Sequence, residues 1–487
     1  MGNHMSRKAK IVATLGPASD SEDVLGKMIL AGMDVARFNF SHGTHDEHAK
    51  RLDLIRRISR KLKKPITLLQ DLQGPKLRVG MLPEEGVNLV AGMLVRMCTE
   101  AQGQSSPSGL LTLPMDVPDL IHHLSIGSRI LFDDGRLEVQ VSSLVGDVIE
   151  ARVILGGKLT SQKGVNLPGA DLQIPAFTEK DRKDLEFGLE NNFDMLAISF
   201  VQTVHDIEMV KAAIEEIDAK KKDLPIIAKL ERPKAITNLD EILQNVYGVM
   251  VARGDLGVET SPSEVPIIQK KIIEKANQQN KVVITATQML ESMIDNPRPT
   301  RAEASDVANA IFDGTDAVML SAETAAGNFP VETIKMMDGI IQEAENHFDE
   351  WGHCETPSTA IIQDDAIAMV SATRALAHDR NVTAIAVFSL SGKTALLMSK
   401  ARPEVPILTF TPNETTYHKL GILWGVQPFL VPVAQSVEQM ISIVESSILS
   451  STKLKKGQQI IIVTGLPVYS MRAPNFALLH TIGADYS

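Results

Sequence analysis

Short runs of almost continuous apolar residues recur along the chain, and stretches with helical periodicity lie between them. An apolar run without alternation is typical of a parallel strand that is covered on both faces. Eight runs are predicted to be such strands: Ile11–Thr14, Val35–Phe40, Thr67–Asp71, Met195–Phe200, Ile226–Leu230, Val249–Ala252, Val282–Ala286 and Ala317–Leu320. Eight strands that alternate with helices predict a closed (β/α)8 TIM barrel. The first helix is expected to begin at a capping box, Ser19-x-x-Glu22, and to end at Gly32.

One interval between predicted strands is much longer than the others, because the third strand ends at Asp71 and the fourth begins only at Met195. Within this interval, Leu137-Glu-Val-Gln-Val141 alternates with a period of two, and Asp133-Asp-Gly135 is a turn signal. The sequence therefore predicts a small β-barrel domain inserted into the larger barrel.

The apolar pattern restarts after Trp351 and predicts a separate doubly wound α/β domain. Its predicted elements are Asp364–His378, Thr383–Phe388, Lys393–Ala401, Ile407–Thr411, Gln459–Thr464 and Ala477–Ile482. The expected division has a non-native leader at 1–5, a barrel at 6–78 and 175–350, an inserted β domain at 79–174 and a C-terminal domain at 351–487.

Composition excludes several classes of function. Charged residues make up 22% and hydrophobic residues 44%, as in ordinary globular proteins, and the net charge of −11 argues against binding to nucleic acid or to a membrane surface. Cys98 and Cys354 form no disulfide framework, and no apolar run is long enough to span a membrane. We expect a cytoplasmic protein in which local cations or metal ions meet any anionic substrate.

Polar side chains follow the predicted barrel strands, at the end where barrel enzymes carry their chemistry. They are Arg37, Asn39, Ser41, His42, Asp71, Gln73, Ser199, Lys229, Glu231, Arg253, Asp255, Thr287, Gln288, Ser321 and Glu323. For any single residue of this set, a structural ion pair is as good an explanation as a functional role. The whole set, with cations and carboxylates on adjacent strands, favours an active site.

Glu231 and Asp255 are placed to share one cavity, and hard carboxylate oxygens favour Mg2+ or Mn2+. The alternative is that Glu231 and Asp255 form salt bridges with Lys229 and Arg253. Both interpretations can be true when no metal is bound. Lys229 interrupts an apolar strand and shares a face with Glu231. It could form a Schiff base or stabilise developing negative charge, and the residues alone leave both open.

Six motifs in one order, from Lys10 to the last barrel strand, resemble those of the pyruvate kinase family. They are Lys10-Ile-Val-Ala-Thr-Leu-Gly-Pro17, Ala36-Arg-Phe-Asn-Phe-Ser-His-Gly43, Ile227-Ala-Lys-Leu-Glu231, Met250-Val-Ala-Arg-Gly-Asp-Leu-Gly257, Thr285-Ala-Thr-Gln-Met-Leu-Glu291 and Val318-Met-Leu-Ser-Ala-Glu-Thr324. The resemblance implies transfer of a phosphoryl group from phosphoenolpyruvate to ADP, which gives pyruvate and ATP. It also implies a homotetramer.

The resemblance also implies residue roles. Glu231 and Asp255 would hold Mg2+ or Mn2+, and Lys229 would stabilise the moving phosphoryl group and the enolate rather than form a Schiff base. The other implied substrate contacts are Arg37, Thr287 and the backbone of Arg253, Gly254 and Asp255. The implied nucleotide contacts are Asn39, His42, Arg78 and Lys163, the last on a lid formed by the inserted domain.

Many family members need K+, and the implied ligand positions here are Asn39, Ser41, Asp71 and the backbone of Leu72. Those members usually read Gly-Pro-Glu in the stretch that reads Gly74-Pro-Lys76 here. A lysine at that position would supply a fixed positive charge in place of a bound K+, so K+ is not expected to be required. The alternative is that Lys76 points into solvent.

Ser389-Leu-Ser-Gly-Lys-Thr394 follows a predicted strand and opens a helix, which creates a place for an anion. It resembles the family loop that grips a phosphate of an allosteric sugar, with Ser389, Ser391, Gly392, Lys393 and Thr394 as contacts. The alternative is an ordinary strand–helix turn. A phosphorylated sugar or nucleotide effector is expected, but Pro467–Pro474 lacks the glycine-rich run of members regulated by fructose 1,6-bisphosphate, which leaves its identity open.

Three other functions were weighed. A P-loop ATPase is excluded because Val387 stands where a Walker loop needs glycine. A catalytically inactive metabolite sensor is disfavoured by the intact set of rim residues. The main alternative is another metal-dependent barrel enzyme, such as a lyase that acts on phosphoenolpyruvate or a 2-oxo acid, and formation of ATP would separate it from a kinase.

Overall fold

The computed structural model describes residues 7–99, 110–116, 120–145, 148–169, 175–352 and 364–484, so the expected leader at 1–5 and Cys354 lie outside the described residues. Eight parallel strands close into a barrel, in chain order around the ring. They are Lys10–Thr14, Val35–Asn39, Thr67–Asp71, Met195–Ile198, Ile226–Leu230, Gly248–Ala252, Val282–Ala286 and Ala317–Leu320. Pairing of the last strand with the first closes the ring, which confirms the predicted barrel.

The barrel strands are buried along almost their whole length, which explains why their sequences are apolar without alternation. Helices cover the outside of the barrel: Glu22–Ala31, His45–Leu62, Glu179–Glu190, Val204–Ile217, Pro233–Thr237, Leu239–Asn245, Arg253–Glu259, Val265–Gln278, Arg301–Phe312, Ala322–Ala325, Pro330–Asn346 and Phe348–Trp351. No helix in the described part of the chain is long and apolar enough to cross a membrane.

The predicted capping box at Ser19 and Glu22 is wrong. Ser19 belongs to a short 3₁₀ turn that starts at Pro17, where its hydroxyl donates to the carbonyl of Gly16. The cap of the first helix is Ser21, whose side chain accepts a hydrogen bond from the Val24 N–H. The proline fixes a separate turn before the helix, and that turn moves the cap two residues along the chain.

The inserted domain consists of antiparallel and parallel strands: Arg78–Val79, Val87–Leu89, Leu94–Thr99, Leu111–Asp116, Arg129–Phe132, Leu137–Val145, Val148–Leu155, Gly157–Leu159 and Val165–Asn166. Seven form one sheet, and a bridge between Arg78 and Gly164 brings its two ends together into a nearly closed barrel. As predicted, a turn at Asp133-Asp134-Gly135 joins two of these strands, with positive φ at all three residues.

The C-terminal domain is a five-stranded sheet in the order Val426–Leu430, Ile407–Thr411, Ala384–Phe388, Gln459–Thr464 and Phe476–Thr481, in which only the last strand is antiparallel. Its described helices are Asp365–Asp379, Lys393–Lys400, Glu414–Lys419 and Val437–Ser451. The sequence did not predict the edge strand, because Pro428 interrupts it and its outer residues are partly exposed.

A buried charge cluster joins this domain to the bottom of the barrel. Asp316, at the start of the last barrel strand, accepts hydrogen bonds from Lys400 Nζ and from Arg402 Nη2, the latter at 2.8 Å. The Arg402 guanidinium also lies 4.5 Å from the centroid of the Trp424 ring. These contacts fix the helix that starts at Lys393 against the barrel.

Candidate active site

The top of the barrel holds a cluster of buried charges centred on Asp71. Its Oδ2 accepts a hydrogen bond from Arg37 Nε at 2.6 Å, and its Oδ1 lies 3.3 Å from Lys229 Nζ. Arg37 also donates to Thr14 Oγ1 at 2.9 Å, so the first strand contributes a rim residue that sequence reasoning missed. Burial alone would raise the pKa of Asp71, but Arg37 and Lys229 outweigh it and hold the pKa below its ordinary value.

Lys229 is held by three oxygen-bearing side chains. Its Nζ lies 3.0 Å from Glu231 Oε1 and donates to Ser199 Oγ at 2.7 Å. Burial would lower the pKa of Lys229, but the nearby carboxylates of Asp71 and Glu231 raise it above its ordinary value. A lysine that stays protonated is a poor nucleophile, so this environment favours charge stabilisation over a Schiff base.

Glu231 and Asp255 form the predicted acidic pair. Burial raises the pKa of Glu231 above its ordinary value, and Asp255 adds to the effect while Lys229 opposes it. Burial also raises the pKa of Asp255, with opposition from Lys229. Glu231 Oε2 accepts a hydrogen bond from the Phe200 N–H at 2.7 Å, which orients the carboxylate. Two buried carboxylates whose pKa values are both raised by burial are suited to binding a divalent cation, which would stabilise their charged forms.

Within the described ranges, no group of three or more His, Cys, Asp or Glu side chains is placed to hold a metal ion. A divalent ion at Glu231 and Asp255 would therefore take its other ligands from water or substrate. Mg2+ commonly binds in this way, through one or two carboxylates and the phosphates of its substrate. The donor set fits the predicted ion.

The segment Arg253–Asp255 opens a short helix at the rim. The Arg253 side chain is occupied, since its Nη1 lies 2.7 Å from Asp306 Oδ2 and its Nη2 donates to the Thr287 carbonyl at 2.7 Å. The Arg253 side chain is therefore turned away from the Asp71 cluster by these contacts, and only the backbone of this segment was predicted to bind substrate. The Gly254 N–H now donates to Thr287 Oγ1 at 2.8 Å, and Thr287 has a positive φ of 66°. Such a conformation in a residue other than glycine is typical of functional sites.

His42 lies near Arg78, another of the predicted nucleotide contacts. Burial lowers the pKa of His42, and the nearby cations Lys76, Arg78 and Arg37 lower it further. Arg78 Nη1 donates to the Gln162 carbonyl at 2.8 Å, and the neighbouring Lys163 pairs with Asp133 at 2.8 Å within the inserted domain. These cations create a positive region where the inserted domain meets the barrel.

The predicted monovalent-ion positions lie beside the Asp71 cluster. Asn39 Oδ1 accepts a hydrogen bond from the Ser41 N–H at 3.1 Å, and the Leu72 carbonyl accepts one from Ser199 Oγ at 2.7 Å. The Lys76 side chain is exposed and lines the cleft that also contains Asp255. Its charge lowers the pKa of both His42 and Asp255.

One rim residue has a structural role instead. The Glu323 carboxylate accepts hydrogen bonds from the N–H groups of Ser321, at 2.6 Å, and Leu290, at 3.3 Å. It therefore holds two strand ends together rather than facing the charge cluster.

Sequence reasoning missed several residues of the cleft between the inserted domain and the barrel. They are Asp134, Asn166, Phe200, Arg232 and Glu259, which line this cleft together with Lys76 and Asp255. Arg232 directly follows Glu231, so its cationic side chain next to a predicted metal ligand was the available signal.

The predicted phosphate loop lines a second cavity, in the C-terminal domain. Ser389, Ser391 and Thr394 line it together with Ser470 and Arg472, whereas Gly392 and Lys393 do not. Gly392 has a φ of 82°, and its N–H donates to Ser389 Oγ at 3.0 Å. The later loop thus adds an arginine that the sequence analysis did not single out.

Comparison with known proteins gives matches over nearly the whole chain. The family described as pyruvate kinase, barrel domain, matches residues 6–334, and that described as pyruvate kinase, alpha/beta domain, matches residues 365–480. The pyruvate kinase of Agrobacterium vitis is 43% identical over 96% of this chain and 97% of that protein. Those of Geobacillus stearothermophilus and Sporosarcina psychrophila are 42% and 41% identical over 98% of this chain and 81% of each relative.

Proposed function

The chain belongs to the pyruvate kinase family and transfers a phosphoryl group from phosphoenolpyruvate to ADP, and on this premise we propose which residues carry the reaction. The observation that supports the assignment most directly is the buried cluster of Arg37, Lys229 and Glu231 around Asp71. Phosphoryl transfer leaves little covalent work to protein groups, so a fixed array of cations is the machinery it requires.

Members of this family need a divalent metal, and we assign it to Glu231 and Asp255, with Mg2+ or Mn2+ as the ion. When bound, the metal would supply positive charge that draws the substrate carboxylate and phosphate together. The protein's own part is to hold the Glu231 carboxylate through the Phe200 N–H and to keep Asp255 at the start of its helix.

Lys229 is proposed to stabilise the phosphoryl group in flight and the enolate that remains. Its ammonium is fixed by Asp71, Glu231 and Ser199, so no reorganisation is needed as charge develops. Arg37 is proposed to contact the phosphate, although its guanidinium now bonds Asp71 and Thr14.

The backbone of Arg253, Gly254 and Asp255 would receive the substrate carboxylate at the start of a helix, and the Gly254 N–H would exchange its bond to Thr287 Oγ1 for one to the substrate. Thr287 Oγ1 accepts a hydrogen bond from the Gly254 N–H and would contact the same substrate. Asn39, His42, Arg78 and Lys163 are assigned to the nucleotide. Closure of the inserted domain over ADP would exclude water, so that ATP forms instead of inorganic phosphate.

An assay that measures ATP and pyruvate together tests this function. Equimolar ATP and pyruvate from phosphoenolpyruvate and ADP is the expected result. A lyase that uses the same rim would give no ATP, and removal of the divalent ion by a chelator should stop the kinase reaction.

Two regulatory assignments are also proposed. Lys76 would replace K+, because its charge acts on the same cleft as Asp255. A phosphorylated sugar or nucleotide would activate the enzyme from the cavity lined by Ser389, Ser391 and Thr394, where Arg472 supplies a further cation. A homotetramer and a cytoplasmic location remain expectations, and sedimentation of the purified protein would test the first.

A further inference from the structure

Arg232 is a buried arginine whose Nε has no hydrogen-bond acceptor among the described residues. The residue is only 8% exposed, and its Nε is among the buried polar atoms that lack a partner. A buried guanidinium N–H without an acceptor is costly, so a site that keeps one requires an explanation.

On one side, Arg232 contacts the support of a proposed metal ligand. Its Cζ lies 5.3 Å from the centroid of the Phe200 ring, which places the cation over an aromatic side chain. The backbone N–H of that same phenylalanine donates to Glu231 Oε2 at 2.7 Å. A shift of Arg232 would therefore change the position of Phe200 and, through it, of the Glu231 carboxylate.

On the other side, Arg232 faces the contact that joins the inserted domain to the barrel. Asn166, on a strand of the inserted domain, donates from Nδ2 to Glu259 Oε1 at 3.2 Å. Glu259 is 8% exposed, and the charge of Arg232 lowers its pKa against the effect of burial. Arg232, Glu259, Asn166 and Phe200 all line one cleft.

We propose that Arg232 is a positioning residue that couples the inserted domain to the metal ligand Glu231. In the closed enzyme its guanidinium pairs with Glu259, which Asn166 holds from the inserted domain, while it stays stacked on Phe200. Glu259, held by Asn166, then supplies the acceptor that Arg232 Nε lacks, and the same pairing fixes Glu231 through Phe200. The proposed coupling to the metal site depends on the proposed role of Glu231 as a metal ligand. The proposed ion pair between Arg232 and Glu259 does not depend on that role.

Two measurements on Arg232→Met, which keeps an unbranched apolar side chain and removes the charge, test the proposal. The first is amide hydrogen exchange in Arg129–Phe132 and Val165–Asn166, with phosphoenolpyruvate and Mg2+ bound. We expect exchange to become about tenfold faster than in the wild-type enzyme, because the closed state loses its ion pair. The second is direct titration with Mn2+, where the dissociation constant should rise about tenfold.

Companion variants separate a specific contact from general damage. Arg232→Lys keeps the positive charge, so its exchange rates and Mn2+ affinity should stay close to the wild-type values. Glu259→Gln should accelerate exchange as Arg232→Met does. Because both substitutions remove one ion pair, the double variant should exchange no faster than either single variant. Arg402→Met removes another arginine that lies over an aromatic ring, far from the cleft, and should lower Tm without changing either readout.

The proposal would be overturned if Arg232→Met leaves both the exchange rates and the Mn2+ dissociation constant within about twofold of the wild-type values. Additive effects in the double variant would also overturn it, since they exclude a shared ion pair. If Glu231→Gln binds Mn2+ as tightly as the wild-type enzyme, the metal assignment fails. Faster exchange in Arg232→Met would then still indicate a contact with the inserted domain, but no coupling to a metal ligand.

Discussion

The ammonium of Lys229 lies 3.0 Å from Glu231 Oε1. The same carboxylate is proposed to bind the divalent metal, so a lysine and a metal ion would share one anion and stand side by side. Two positive charges at such a short distance repel each other unless negative charge lies between them. The arrangement is therefore most stable when negative charge develops on a substrate held against both, as it does during phosphoryl transfer and enolate formation.

Replacement of this lysine should remove transition-state stabilisation rather than substrate binding. We expect Lys229→Met to lower kcat by at least about a hundredfold, in the range found when one preorganised donor is lost. Lys229→Arg keeps the positive charge and should retain more activity. Steady-state kinetics with both substrates saturating would measure this, and a loss confined to KM would contradict the role.

The metal pair predicts a sharper loss. Asp255→Asn should lower kcat by more than about tenfold while the fold stays intact, since even ~1.4 kcal/mol of lost stabilisation has that effect. Thermal unfolding and circular dichroism would check the fold. Asp306→Asn is the matched control, because Asp306 pairs with Arg253 at the same rim but does not belong to the proposed metal pair. Activity of Asp255→Asn close to that of the wild-type enzyme would remove the assignment.

Metal affinity should depend on pH in a direction set by Glu231. Burial raises the pKa of this carboxyl above its ordinary value, and a protonated carboxyl is a poor ligand for a divalent ion. The dissociation constant for Mn2+ is therefore expected to stay level where the carboxyl is ionised and to rise, by up to about tenfold per pH unit, as the pH falls below its raised pKa. Calorimetric titration of the substrate-free enzyme would show this. The same pH dependence in Glu231→Gln would assign it to another group.

The barrel could be predicted because its strands are buried on both faces, so the runs at Val35, Ile226 and Val282 are mostly apolar, and the charged residues within them, Arg37 and Lys229, belong to the candidate site. The charged rim followed from the same strands, since the residue after each apolar run must face the open end. Arg232 and Glu259 could not be found in this way. Their roles depend on the position of Asn166, which comes from a domain inserted far away in the sequence. Arg472 reaches its cavity through an irregular loop that has no periodic pattern.

Effector binding should depend on the cavity in the C-terminal domain. Phosphorylated sugars and nucleotide monophosphates are expected to raise Tm and to tighten the binding of phosphoenolpyruvate, which must in return tighten effector binding. Thr394→Glu places a negative charge against the phosphate and should abolish the shift. Ser446→Glu adds the same charge at an exposed position on the helix Val437–Ser451 and is the control. No shift with any of these compounds, or one that Thr394→Glu leaves unchanged, would remove the site.

The requirement for K+ is the last property that the structure connects to one residue. Lys76 lines the cleft with Asp255, and its charge acts on Asp255 and on His42, so a fixed cation already stands near the proposed monovalent site. The enzyme should therefore reach full turnover in tetramethylammonium salts at constant ionic strength, a condition that keeps screening unchanged. Lys76→Glu reverses this charge and should create a dependence on K+, whereas Lys64→Glu, at an exposed position on the barrel, should not. A rise of more than about tenfold on adding K+ to the wild-type enzyme, equivalent to ~1.4 kcal/mol, would show that Lys76 does not replace the ion.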